Sequence, residues 1–392
     1  MTLSGPRGAG FRAAFAGAAA TCSGNGLARF AYVPLFPAMV AAQWVDGGGA
    51  GLLGAINLSG YLLGTLAAAS VAHRLGVPRA LDLGMALIVV AVACCAWNGG
   101  LGWLVLWRGV AGIAGGVLMG LAGPAVQQVV APQRRGLAGG VVIGGVAGGI
   151  VIASLAVPAL LTLGLAQAWM GIALLILALW LVARPHWPDP PPAPRRGEAP
   201  PVAPQRLLVL AYALSGGGLV APMVYLADLA ARGRGLGVAL GAGAWLLFGL
   251  GGMIGTLAGG AAVDRFGGGR AMIAWLVLQV LALGLLLLPW MPALVLGAAL
   301  SGFVGVGVST VVLGVARERA GAQSGLVWVR VTAGFAVTQA LTGFGLAALF
   351  AATGESHAAV FGACLVLSAA SLAAGFADQR RAGHVASQHE ND

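Results

Sequence analysis

The sequence predicts an all-α integral membrane protein of twelve transmembrane helices in two pseudo-symmetric six-helix bundles. Three observations predict it. Of 392 residues, 59% are hydrophobic and only 8% charged, with a mean hydropathy of +0.93; a soluble domain carries roughly 25% charged residues. Second, GAAVDRFGGGR at 260–270 has a faded copy, ASVAHRLGVPR, at 69–79. Arg74 falls on Arg265, Gly76 on Gly267 and Arg79 on Arg270, each 191 residues on, and the same shift carries Gly60 onto Gly251 and Gly64 onto Gly255. A fixed shift of half the chain is the mark of an internal duplication. Third, RPHWPDPPPAPRRGEAPPVAPQR at 184–206 holds nine of the 19 Pro and lies at the midpoint. Such a stretch is no helix but an extended linker.

The spans follow from the length a bilayer demands, roughly 20 apolar residues each. In the first half they are expected at 12–40, 49–71, 80–97, 102–130, 137–162 and 165–183. In the second half they are expected at 207–228, 237–262, 271–289, 293–315, 324–351 and 357–377. This gives an N-terminal bundle (1–183), the linker (184–206), a C-terminal bundle (207–378) and a tail (379–392). The apolar run after Arg7 and Arg12 continues past Cys22 to about Val40, too long for a signal peptide, and reads as the first span.

The net charge of +10 comes from Arg, since the chain has no Lys. With the N-terminus inside, sixteen of the 21 Arg fall in cytoplasmic segments and only Arg232 and Arg234 fall outside, which places both termini in the cytoplasm. The basic charge thus sets topology, and nucleic acid is not an expected partner. All four Cys lie in apolar runs without C-x-x-C spacing and read as small apolar residues. Glycines four apart (Gly112, Gly116, Gly120; Gly136, Gly140, Gly144, Gly148; Gly251, Gly255, Gly259) make smooth ridges against which a helix can pack or slide.

GAAVDRFGGGR resembles the G-x-x-x-D-R-x-G-x-x-R loop of the major facilitator superfamily, between the second and third helices of each half. The first-half copy has Ala69 and His73 where Gly and Asp are expected. Arg108-x-x-x-Gly112-x-x-x-Gly116 resembles that superfamily's fourth-helix motif, which implies a proton-coupling or gating role for Arg108. GNGLARFAYVPLFPAM at 24–39, with Asn57–Gly64 and Thr332–Gln339, is similar to the YbfB/YjiJ-like branch, for which no settled substrate is implied. The fifth span has Gly144 and Gly148 without the Gly-Pro pair common in exporters, which weakens an inference of proton antiport.

Candidate transport residues come from the cost of burying polarity. An Arg at mid-helix costs about 2.5–3.5 kcal/mol on insertion scales, so Arg29 must face protein or water. Asn25, Arg29 and Tyr32 fall on one helical stripe, as do Asn57 and Tyr61 on the second span. With Arg108 and Gln339 they are the candidate substrate-binding residues, although Arg29 could instead hold helix-end carbonyls and Arg108 could snorkel to the interface. Arg330 points away from the stripe of Thr332, Phe335 and Gln339 and reads as structural. Asp264, Arg265 and Arg270, with Arg74 of the faded copy, are the candidate cytoplasmic gate, Asp264 capping a helix or pairing with Arg. No Asp, Glu or His sits mid-span; Asp228, near a helix end, is the best proton-coupling candidate, ahead of Asp46.

No G-x-S-x-G, H-E-x-x-H or phosphate loop is present, so neither an enzyme, a cofactor nor a metal site is expected. The expected function is secondary active transport of a small organic solute by alternating access in a bacterial inner membrane, by a proton-coupled monomer. The central Arg favours an anionic or strongly hydrogen-bonding substrate. The alternative is efflux of lipophilic or cationic compounds past Trp245, Phe248 and Phe303; a scaffold or sensor would want a larger soluble appendage.

Overall fold

The structure is a computed structural model describing residues 6–131, 134–189 and 205–389. The core of the expected linker (190–204) and the end of the tail (390–392) lie outside the described residues. The described residues form helices and no strands. In order these are α1 (Pro6–Thr21), α2 (Tyr32–Ala41), α3 (Gly47–Leu75), α4 (Val77–Cys94), α5 (Leu101–Val129), α6 (Arg135–Leu161) and α7 (Leu165–Ala183). There follow α8 (Arg206–Gly218), α9 (Val220–Asp228), α10 (Gly237–Phe266), α11 (Gly268–Leu287), α12 (Met291–Ala320), α13 (Ser324–Ala352) and α14 (His357–His389). Among the described residues eleven stretches are long and apolar enough to cross a membrane; the first span, broken into α1 and α2, makes the twelfth. Helix α14 runs to His389, so most of the expected tail is helical.

By proximity the chain separates into two compact units, residues 1–195 with 227–246, and residues 196–226 with 247–392. The six-span halves remain a division by chain order.

The duplication is visible in backbone and packing alike. Gly76 turns the chain at φ 79° and ψ 153° between α3 and α4, and Gly267 does so at φ 81° and ψ 152° between α10 and α11. That backbone region is open essentially to Gly alone. In the first unit, a Cβ on Gly64 would overlap the Ile113 carbonyl and one on Gly60 would sit 2.6 Å from the Gly109 carbonyl oxygen. In the second, Cβ atoms on Gly255 and Gly251 would overlap the carbonyls of Phe303 and Ala299. The same helix pair, α3 on α5 and α10 on α12, thus closes to backbone contact in both halves.

The glycine ridge of α6 behaves otherwise. Gly140, Gly144 and Gly148 meet nothing within 4 Å, whereas Gly145 and Gly149, one position on, pack against α1 and Gly26. Local starts are conventional: Asp46 accepts from the Gly49 amide at 2.6 Å and caps α3, and Pro occupies the first turn of α4 and α12.

Candidate functional site

The first span is not one helix. After α1 the chain widens into a π turn over Cys22–Leu27, where Gly24 and Gly26 weaken the α ladder, and a turn follows before α2. Phe30 N–H donates to Asn25 O, five residues back, and Val33 N–H turns to Phe30 O at 3.2 Å instead of to Arg29. Pro34, three residues into α2, brings no N–H of its own to the break. Asn25 therefore lies in the π turn and Tyr32 opens α2, so the expected stripe of Asn25, Arg29 and Tyr32 is interrupted at Arg29.

Arg108 holds this break together. It is 1% exposed, about two turns into α5, and donates to Ala28 O at 2.6 Å and Arg29 O at 3.4 Å. Its guanidinium carbon sits 4.4 Å from the centroid of the Tyr32 ring and 5.9 Å from that of Trp169. The Tyr32 hydroxyl is committed to Ala50 O at 2.6 Å, and Asn57 donates its amide to Arg108 O at 3.0 Å. Neither snorkelling nor open exposure describes Arg108; it fastens α5 to the broken span.

Arg29 is the opposite case. It is partly exposed, and no described residue hydrogen-bonds or ion-pairs its guanidinium. Two aromatic rings, Phe30 and Tyr61, lie with centroids 4.8 Å from its guanidinium carbon. Phe30 packs in turn against Trp245 at 5.6 Å between centroids. The rings offer a cation–π contact but accept none of its N–H hydrogen bonds in the plane of the guanidinium.

In the second unit the matching span is also interrupted, at Gly218–Leu219 between α8 and α9, which is where the 191-residue shift carries Leu27–Ala28. Here the break is held by neutral groups. Gln279 accepts from Ser215 Oγ at 2.7 Å and donates to Ser215 O and Ser368 Oγ at 3.0 and 2.8 Å. Gln339 is buried and donates to the Met223 sulfur at 3.3 Å. Arg330 is exposed. Of the proposed apolar walls, Trp245 and Phe248 are fully buried and Phe303 stacks on Trp275.

Asp228 is fully buried and makes a two-pronged ion pair with Arg232, one turn on, at 2.5 and 2.7 Å. In the sequence Arg232 counted only toward topology, although its i, i+4 spacing from Asp228 was available. On the loop, Arg74, Asp264, Arg265 and Arg270 are all exposed, and Arg265 lies over Phe266. The helix cap expected of Asp264 is formed by Glu318, which accepts the Gly268 amide at 2.8 and 2.9 Å and so caps α11 from the end of α12. Arg319 beside it pairs with Asp378 at 2.6 Å. Asp82, in the second turn of α4, takes the indole N–H groups of Trp180 and Trp187 and the Arg184 guanidinium.

Comparison with solved structures finds the same fold. A bacterial homolog of the human lysosomal transporter Spinster, in an inward-facing and occupied conformation, matches with a TM-score of 0.66 at 18% identity over 93% of this chain and 96% of that one. The human organic anion transporter MFSD10 (TETRAN) matches with a TM-score of 0.68 at 17% identity over 93% and 99%. No curated protein matches in sequence. The sequence family described as "Uncharacterised MFS-type transporter YbfB" matches residues 21–375. With twelve spans, a duplicated glycine-turn loop and a broken first span in each half, this chain belongs to that YbfB-type family of membrane transporters of the major facilitator superfamily.

Proposed function

We propose that the protein is a secondary active transporter that moves a small organic anion by alternating access, with Arg29 as the charge that receives it. One observation carries this reading: inside the first span stands a partly exposed guanidinium with no acceptor among the described residues. An unneutralised charge there costs several kcal/mol unless something pairs with it, and the cheapest relief is a ligand that brings the opposite charge. Arg108 supports the site from behind, because it is 1% exposed and its two terminal nitrogens donate to the carbonyls that shape the turn around Arg29.

Proton coupling is assigned to Asp228, a buried carboxylate whose protonation would release Arg232. Arginine distribution supports an inner-membrane orientation with both termini cytoplasmic. The transporter acts as a monomer, with the bilayer and its small-molecule substrate as its partners.

The test is ligand-induced thermal stabilisation of the detergent-purified chain by organic acids, sugars, amino acids and lipophilic cations. Stabilisation by organic acids that Arg29→Ala abolishes is the expected result. Stabilisation by lipophilic cations that survives Arg29→Ala would contradict it.

A further inference from the structure

The reading of Arg29 as the anion-binding residue can be taken to a substrate class by asking which charges remain available. In the first unit, Arg29 and Arg108 are the two arginines that meet at the break in the first span. Arg108 is enclosed at 1% exposure, its two terminal nitrogens donating to Ala28 O and Arg29 O and its Nε–H without an acceptor among the described residues. Arg232 shares its charge with Asp228. Of the two guanidinium groups at the break, the partly exposed one is that of Arg29, while Arg108 is enclosed.

The rings packed on the Arg29 guanidinium are uncharged. Phe30 and Tyr61 present rings at 4.8 Å, and Trp245 extends the aromatic surface behind Phe30. Tyr61 is itself partly exposed. A second negative charge on the ligand would enter this setting unpaired, and burying an unpaired charge is strongly unfavourable. Phosphate monoesters carry about −1.5 to −2 charges at neutral pH and fall under the same penalty. A carboxylate, in contrast, matches a guanidinium with two parallel N–H···O bonds, and an apolar body finds the rings.

We propose that this transporter recognises monocarboxylates with an apolar or aromatic body, one carboxylate on Arg29 and the body against Phe30 and Tyr61, and discriminates against dicarboxylates and phosphate. The proposal rests on the anion reading above but can fail separately from it.

The experiment is titration calorimetry on the full-length, detergent-purified chain with four probes: benzoate, its neutral isostere benzamide, succinate and inorganic phosphate. Benzoate is expected to bind at least about tenfold more tightly than the other three. Arg29→Ala is expected to abolish benzoate binding. Arg29→Lys, which keeps the charge and the bulk, is expected to weaken it severalfold while preserving the ranking, so the test stands even where the Ala variant does not fold. Succinate or phosphate binding as tightly as benzoate overturns the monocarboxylate proposal and leaves the anion reading intact. Benzamide binding as tightly as benzoate, or benzoate binding unchanged in either variant, overturns both.

Discussion

The Arg108 guanidinium donates to the carbonyl oxygen of Ala28 at 2.6 Å, eighty residues away in the chain. That bond joins α5 to the turn that interrupts the first span, and it divides the work between two intramembrane arginines. Arg108 builds the turn; Arg29, whose carbonyl Arg108 also holds, is left with its donors free.

From this division, Arg108→Ala is expected to destabilise the protein strongly and Arg29→Ala only slightly. Removing Arg108 strips the Ala28 and Arg29 carbonyls of their side-chain donor, at about 1–3 kcal/mol for each group left unsatisfied. Arg29→Ala removes an unpaired charge. Thermal unfolding in detergent, with Arg108→Lys as a partial rescue, checks the contrast.

The glycines separate by what lies beyond them. Gly64→Ala and Gly255→Ala would drive a methyl into the carbonyls of Ile113 and Phe303, an overpacking that costs about 1–3 kcal/mol. Gly144→Ala meets open space and is expected to be neutral or stabilising by up to about 1 kcal/mol, since Ala suits a helix better than Gly. Parallel melting curves of the three variants test this.

Glu318 and Asp264 should part in the same way. Glu318→Ala removes the cap on α11 and is expected to cost about 0.5–2 kcal/mol. Asp264→Ala removes an exposed carboxylate and is expected to leave the melting temperature unchanged. A gating role for Asp264 would then appear only in the transport rate, read from proteoliposome flux.

Asp228→Asn is expected to uncouple transport. Substrate exchange down its own gradient should persist, while accumulation driven by an imposed pH gradient should be lost. Counterflow and pH-jump assays on the same proteoliposomes separate the two. Retained pH-driven accumulation would remove Asp228 from the coupling step.

Much of the fold was legible because duplication and hydropathy are written in local sequence. The shift that pairs Gly60 with Gly251 and Gly64 with Gly255 reappears as two matching backbone crossings. The phase of the α6 ridge was not legible. Gly144/Gly148 and Gly145/Gly149 differ by one position, about 100° around the helix, and the choice is made by Gly26 on another span. The break at 28–31 had signals in Gly24, Gly26 and Pro34, but a stripe of polar residues at helical spacing spoke against it. The partner of Arg108 was hidden for a related reason: an intramembrane Arg can snorkel, line a cavity or hold carbonyls, and only the break creates carbonyls to hold. Glu318 escaped notice because the amide it caps lies fifty residues away.

The most direct test of the account is flux of a radiolabelled organic anion into proteoliposomes containing wild type, Arg29→Lys or Arg29→Ala at matched, folded protein levels. Saturable uptake by wild type, reduced uptake by the Lys variant and background uptake by the Ala variant are expected. Wild-type uptake by the Ala variant would contradict it, and would leave Arg29 as a structural residue.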